Sequence, residues 1–447
     1  MRQLLFCYDI FQRYPVMVAI GAVALLTTLG YAVIIPILPL YLKENLGFSA
    51  SLIGLIFGAY AAAETLAKTP LGFVSDRGGR RSVIITGLLL CFPVPYLMTL
   101  PRHPVSLALL QMVNGAGVAA FWPALAALTA DIVAVERRAQ AMTVFNMSYL
   151  IGLGFGPALG TFVNHAAGSN TAAFYLASAF LAGAAMIGVL FLPRPGEKTA
   201  PVPAEETAGD KMVYALETGT PNGLTLETAG GDNAAAQGQA LVPAGPGPDA
   251  WEGLKALLRQ PVLGVMLLVS LLQQFGAGFL APIFVLYGRE QVGFTQAEIG
   301  RILLFPALTI ALLAIPLGRI ADAIGKSRAA RCAFLAAALA IFLMPGAKHP
   351  LSWQFLVAVL GLAYVTGAPA WTALASMAAP PGRQGAAIAA IGTMQSLGFI
   401  LGPGVGGFLY DRVAPAAPFY GCALFLVVCF LLASLLVSEK RIDKTVA

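Results

Sequence analysis

Two charges, Glu64 and Lys68, stand inside an otherwise apolar run and lie four residues apart. That spacing puts them on one face of a helix. If the run crosses a bilayer, an isolated charge at its centre costs about 2.5–3.5 kcal/mol on insertion scales, so each needs a partner and each is the other's nearest candidate. Glu64 could bind a proton or a cationic group, with Lys68 lowering its proton affinity or holding an anionic headgroup. The competing reading is a structural ion pair whose lysine snorkels toward the interface. Further along, Asp131 and Glu136 stand beside Arg137 and Arg138, and local pairing is expected there.

The strongest local motif is Gly72-Phe-Val-Ser-Asp76-Arg77-Gly78-Gly79-Arg80-Arg81. A carboxylate at a helix end accepts bonds from the free amides at another helix's N-terminus, and nearby arginines pair with acidic partners in one conformation only. The glycines let the turn close tightly. This is the chemistry of a conformational latch: Gly72, Asp76, Arg77, Gly79 and Arg80. A reduced copy follows as Gly318-Arg-Ile-Ala-Asp322-Ala-Ile-Gly325-Lys326, in which Asp322 and Lys326 remain but the mates of Arg77 and Arg81 are missing. The second latch is expected to be the weaker.

The elements that carry these motifs come from an internal duplication. A shift of 246 residues lays Pro15 on Pro261, Gly30 on Gly276, Pro36 on Pro282, Gly54 on Gly300, Asp76 on Asp322, Pro157 on Pro403 and Arg137 on Arg383 without a gap. With 58% hydrophobic and 11% charged residues, against about 25% charged in an ordinary soluble domain, the chain folds in a bilayer. Six apolar runs per half are long enough to span one. They lie near 15–42, 52–74, 82–101, 105–130, 139–164 and 172–193, then 260–287, 297–320, 328–346, 352–378, 384–409 and 417–437. The expected architecture is all-α: two six-helix bundles, 1–193 and 260–447, joined by a linker over 194–259.

The net charge of +6 reflects topology, not nucleic acid, because the basic residues cluster at span ends instead of covering one face. With a cytoplasmic N-terminus only Lys43, Arg102, Arg289, Lys348 and Arg412 fall outside, and Lys68 and Arg301 lie within or at the ends of spans. The positive-inside rule then predicts both termini in the cytoplasm. The linker is acidic and rich in Pro, Gly, Ala and Thr, with a small hairpin over 212–227 as the alternative to a solvated coil. Trp251–Arg259 reads as a short interfacial helix. Five cysteines, Cys7, Cys91, Cys332, Cys422 and Cys429, show no disulfide or metal-ligand spacing.

Enzymatic readings find no support. His103, His165 and His349 all fall in outer loops, which excludes a buried histidine base or a histidine metal centre. Gly325-Lys326-Ser327 imitates the tail of a phosphate loop, but the glycine needed earlier is Ile320. No cofactor or metal is expected.

The glycine, aspartate and arginine pattern of the loop after the second span resembles the signature loop of the major facilitator superfamily, and the resemblance covers nearly the whole chain outside the linker. It implies two bundles around a central cavity, alternating between inward-open and outward-open forms, with Asp76, Arg77 and Arg80 stabilising the outward-facing state. Gly152-Leu-Gly154-Phe-Gly156-Pro157-Ala-Leu-Gly160 in the fifth span is similar to the glycine-proline motif of exporters that exchange substrate for protons, with Gly402 and Pro403 in the duplicate. Gly30-Tyr31-Ala-Val-Ile-Ile-Pro36-Ile-Leu-Pro39-Leu-Tyr41 is similar to the first span of the twelve-span drug and proton antiporters. Family members commonly carry an arginine four residues before a glycine in the fourth span; here that position is Gln111, before Gly115.

In that family spans one, four, seven and ten line the cavity. The resemblance thus nominates Thr27, Thr28, Gln111, Asn114, Trp122, Gln273, Gln274, Phe275, Tyr364 and Trp371. Aromatic surface with few fixed charges suits a lipophilic or amphipathic molecule better than a sugar or phosphate. The expectation is a monomeric exporter in the cell (inner) membrane, working among membrane lipids and coupled to protons through Glu64 and Lys68. An importer of a nutrient or siderophore, or a lipid flippase, is the alternative.

Overall fold

The computed structural model describes residues 14–134, 137–194, 260–305, 309, 324–380 and 383–437. The linker beyond Arg194, with its expected hairpin and interfacial helix, lies outside these residues, as do Glu136, Asp322 and most of the eighth span. The described residues hold eleven helices long and apolar enough to cross a membrane. In the numbering of the twelve expected spans they are span 1 (Val16–Asn45), 2 (Ala50–Gly78), 3 (Arg80–Met98), 4 (Pro104–Asp131), 5 (Arg138–Ala167), 6 (Ala172–Phe191), 7 (Pro261–Val292), 9 (Lys326–Gly346), 10 (Pro350–Ala378), 11 (Gln384–Arg412) and 12 (Ala417–Leu436).

Several spans carry interior prolines, among them Pro70, Pro123, Pro157, Pro282, Pro369 and Pro403. Each removes one backbone donor, which a membrane helix tolerates where neighbouring helices shield the freed carbonyl. Span 3 is interrupted at Phe92–Pro93, so its apolar run folds as Arg80–Cys91 followed by Val94–Met98.

The duplication reappears as duplicated packing. Span 1 lies against spans 5 and 6, and span 3 against spans 4 and 6; span 7 lies against 11 and 12, and span 9 against 10 and 12. Atomic details repeat as well. The Tyr41 hydroxyl donates to the Thr99 carbonyl at 3.3 Å, and its mate Tyr287 donates to the Pro345 carbonyl at 3.3 Å. The Nδ1 atoms of His103 and His349 accept from the Val105 and Leu351 amides, capping spans 4 and 10. Gly79 and Gly325 both have φ of 90°, a conformation that L side chains rarely adopt.

The first and last described residues, Tyr14 and Val437, share one end of the molecule, the terminal end; the loops joining spans 1–2, 3–4, 5–6, 7–8, 9–10 and 11–12 form the far end. The bundles meet most closely at the far end. There Gly54 of span 2 sits on the Pro403 carbonyl of span 11, Gly58 on Ile400, and Gly407 of span 11 on Ala50. On the other side Gly300 meets Thr161 of span 5. One hydrophobic core therefore joins Val33, Ile37, Leu42, Ile53 and Ile56 to the second bundle, whereas Met17, Ile20, Val83, Leu125 and Phe145 form a core confined to the first.

The glycine-proline motif works inside a bundle. Side chains added at Gly152, Gly156 and Gly160 would collide with Thr28, Ala32 and Val33 of span 1, and at Gly398, Gly402 and Gly406 with Leu271, Phe275 and Phe279 of span 7. Close approach of this kind is how helices associate where the surrounding lipid is as apolar as the side chains. Gly156→Leu is expected to lose about 1–3 kcal/mol, the usual cost of overpacking a tight contact, read as a lowered midpoint of unfolding in detergent; Gly72→Leu, where an added side chain meets open space, should leave the midpoint in place.

Candidate functional site

Glu64 and Lys68 form the pair that their spacing predicts. Lys68 Nζ lies 2.7 Å from Glu64 Oε1, with the two side chains 35% and 23% exposed. Small residues bring the surrounding spans close: Gly115 of span 4 is pressed on the backbone of Tyr60 and Glu64. Three tyrosines from three spans gather around the carboxylate. The Tyr60 hydroxyl faces Glu64, the Tyr31 ring stacks on Tyr60 with centroids 6.0 Å apart, and Tyr149 of span 5 lies within electrostatic reach of Glu64.

Aromatic surface continues from there. Trp122 packs on Tyr149 at 5.2 Å and on Phe145 at 5.0 Å. Tyr364, on span 10 of the opposite bundle, is 68% exposed and within reach of Tyr149. Beside Tyr31 and Tyr60 a cavity of about 60 Å³ is lined by Thr27, Cys91, Gln111 and Asn114, roomy enough for a few waters. Gln111 is buried, and its Oε1 accepts from Asn114 Nδ2 at 3.5 Å.

The other nominated residues stand apart from this cluster. Thr28 is buried under Gly152, its hydroxyl donating to the Ala24 carbonyl at 2.7 Å. Trp371 is 3% exposed and packed, its Nε1 donating to Ser270 Oγ at 2.9 Å and its ring set against Phe334. Gln273, Gln274 and Phe275 are half-buried on span 7, where Phe275 joins Phe279 and Phe425 in an aromatic cluster.

At the terminal end the first latch lies at the surface. Asp76 and Arg77 are exposed, and Gly72 faces open space. Arg80 Nε pairs with Asp131 Oδ2 at 2.8 Å, within the first bundle. Asp131 thus pairs across to span 3, and Arg138 Nε donates to the Ala130 carbonyl. Lys326 Nζ reaches Met377 Sδ at 3.9 Å.

Sequence reasoning missed the polar groups of the far end. Asp411, at the end of span 11, accepts from the Ala50 and Ser51 amides at 3.1 and 2.7 Å and from Ser51 Oγ at 2.6 Å, capping span 2 across the bundles. Glu44 pairs with Arg289, and Lys43 with Glu290. One signal was available: the shift that reveals the duplication lays Lys43 on Arg289 and Glu44 on Glu290.

Two pseudo-symmetric helical bundles in a membrane, packed through glycine seams around a carboxylate and an aromatic lining, define a multi-pass transporter of small molecules. The Major Facilitator Superfamily profile matches residues 20–287 and again 266–446, and the chain belongs to that superfamily. It is therefore a transporter and not an enzyme. The chain is 24% identical over 385 residues to "Multidrug resistance protein 2" of Bacillus subtilis, covering 86% of each chain. It is 22% identical to "Multidrug resistance protein 1" of the same organism, covering 90% of each. Among solved structures, the nucleoside transporter NupG superposes with a TM-score of 0.71 at 13% identity, over 96% of this chain and 99% of that one, a likeness of fold.

The ion pair can be weighed directly. A double-mutant cycle of Glu64→Gln and Lys68→Met on thermal unfolding is expected to give a coupling of about 0.3–0.5 kcal/mol, the range for an i, i+4 helix pair. A coupling of zero would show that the two charges are independent.

Proposed function

We propose that this chain exports a lipophilic or amphipathic small molecule in exchange for protons, by alternating which end of the two bundles is open. The observation that carries the reading is the Glu64 carboxylate set among Tyr31, Tyr60 and Tyr149 and held by Lys68. A carboxylate within a membrane span, reachable by solvent, is a group that takes up a proton or a cation, and an aromatic wall offers apolar surface without fixing one substrate geometry. Neither charge has a mate in the second half, where Ile310 and Ala314 take the matching positions. Such asymmetry in a duplicated fold points to a task beyond holding the fold.

The names of the Bacillus subtilis relatives favour multidrug efflux. Import of a nutrient has only the fold likeness to nucleoside and peptide transporters on its side. In this reading the basic span ends, and both termini, face the cytoplasm. The protein acts as a monomer in the cell membrane, its two bundles being 1–193 and 260–447 and the segment between them a tether. The closed far end is then the outer one, and the exposed Asp76 loop is the inner latch in its released form. Gln111 and Asn114, beside the Tyr31–Tyr60 stack, supply uncharged hydrogen-bonding groups near the proton site. Tyr364 of the second bundle lies across from it, within reach of Tyr149.

Purified protein in liposomes, given a panel of lipophilic dyes and an imposed pH gradient, tests this. Gradient-driven flux is expected in wild type and to fall by at least about tenfold, ~1.4 kcal/mol of barrier, in Glu64→Gln. Flux indifferent to both the gradient and the substitution would make Glu64 structural. Asp76→Asn should slow turnover by a similar factor with dye binding retained; unchanged turnover would remove Asp76 from the latch.

A further inference from the structure

Both halves end their first span in the same short element. Tyr41–Asn45 closes span 1 and Gly288–Val292 closes span 7, each a π-helical turn. After each comes a glycine in the left-handed region, Gly47 with φ of 70° and Gly293 with φ of 85°. The chain then folds back, the Phe48 amide donating to Leu42 and the Phe294 amide to Gly288. Each bundle therefore carries one cation and one anion in adjacent positions of a rigid turn: Lys43 and Glu44 in the first, Arg289 and Glu290 in the second.

Residues adjacent in a helical turn do not face each other, so neither ion can pair with its own neighbour. They cross instead. Arg289 Nε donates to Glu44 Oε1 at 2.8 Å, and Lys43 Nζ lies 3.6 Å from Glu290 Oε1. The remaining carboxylate oxygens are also bonded. The Tyr410 hydroxyl donates to Glu290 Oε2 at 2.6 Å, and Asn170 Nδ2 reaches Glu44 Oε2 at 3.4 Å while Gln296 Nε2 donates to Asn170 Oδ1 at 2.9 Å.

We propose that Lys43, Glu44, Arg289 and Glu290 form a two-fold electrostatic clasp that sets how much of the protein rests with its far end closed. Because the contact is isologous, separating the bundles here breaks both pairs in one motion and leaves four ions without an opposite charge. The side chains are 28–36% exposed, so salt reaches them. The glycine seam beneath, Gly54 on Pro403 and Gly407 on Ala50, carries no charge and does not respond to screening. Salt dependence of the closed population therefore belongs to charge contacts and not to the seam. The inference rests on the reading that the two ends alternate, yet its test needs neither substrate nor proton gradient, so it can fail while the export reading stands.

The test is a distance measurement between spin labels on Arg102→Cys and Lys348→Cys, exposed positions in two far-end loops, with the five native cysteines replaced by alanine and the protein in nanodiscs. One short distance should dominate at low salt. Reversing one bundle, Lys43→Glu with Glu44→Lys, sets like charges opposite each other and should raise a longer distance by at least about threefold in population, an estimate resting on like-charge repulsion. Adding Arg289→Glu with Glu290→Arg rebuilds both crossings with inverted signs and should restore the short distance. An unchanged distribution in the first variant, or no restoration in the second, overturns the proposal. Should the reversed proteins fail to fold, the unreversed quartet decides. Raising NaCl from 0.01 to 1 M shortens the screening length from about 30 to about 3 Å and must shift the population the same way; no shift overturns the clasp.

Discussion

Backbone touching backbone is the contact on which the rest of this molecule depends. Lipid offers no hydrophobic reward for bringing two apolar helices together, so association rests on surfaces that approach closely enough for dispersion to accumulate and for polar groups to find partners. Glycine provides that approach at Gly152, Gly156 and Gly160 against span 1, at Gly398, Gly402 and Gly406 against span 7, and at Gly54 and Gly407 between the bundles. Gly115 does the same for the ion-pair site, because only a residue without a side chain lets span 4 press on the Tyr60–Glu64 backbone. Remove that approach and Gln111 and Asn114 no longer share a cavity with Tyr31 and Tyr60.

The charged groups divide by the same logic. Glu64 and Lys68 answer each other within one helix, so their pairing survives whatever the bundles do. Asp411 bonds across to span 2, and Glu44 and Glu290 meet their opposite charges only on the other bundle, so those contacts exist in one arrangement alone. Arg80 has turned inward to Asp131 while Asp76 and Arg77 stand in solvent. Among the described residues, polar contacts between bundles thus gather at the far end, and the Arg80–Asp131 pair at the terminal end lies within one bundle.

Much of this was legible in the residues. Spans follow from apolar length, two bundles from the repeat, and the Glu64–Lys68 pair from spacing alone. The glycine-proline motif was legible as a close contact, although its partner, span 1 of the same bundle, was not. What escaped was everything that depends on which helices face each other. Tyr149 is 85 positions from Glu64 in the chain (149 less 64), and nothing in its surroundings marks it as a neighbour of that carboxylate. Trp371, nominated by position in its span, is occupied with Ser270 and Phe334 because the rotation of span 10 turns it inward. Lys43 and Arg289 stood out as exceptions to the charge bias and as mates under the shift, but neither signal says which charge each one meets.

The crossed arrangement of Lys43, Glu44, Arg289 and Glu290 also bears on descent. It is the contact that two identical copies make, each offering the same dipeptide to the other, and it would form as well between separate six-span chains as between the halves of one. Fusing such halves changes nothing at this contact. What fusion does change is freedom: once the copies share a chain they need no longer stay alike, and a glutamate and a lysine can occupy one half while isoleucine and alanine occupy the other. A symmetric pair would have to carry its ion pair twice; the joined protein carries it once, on one side of its central axis.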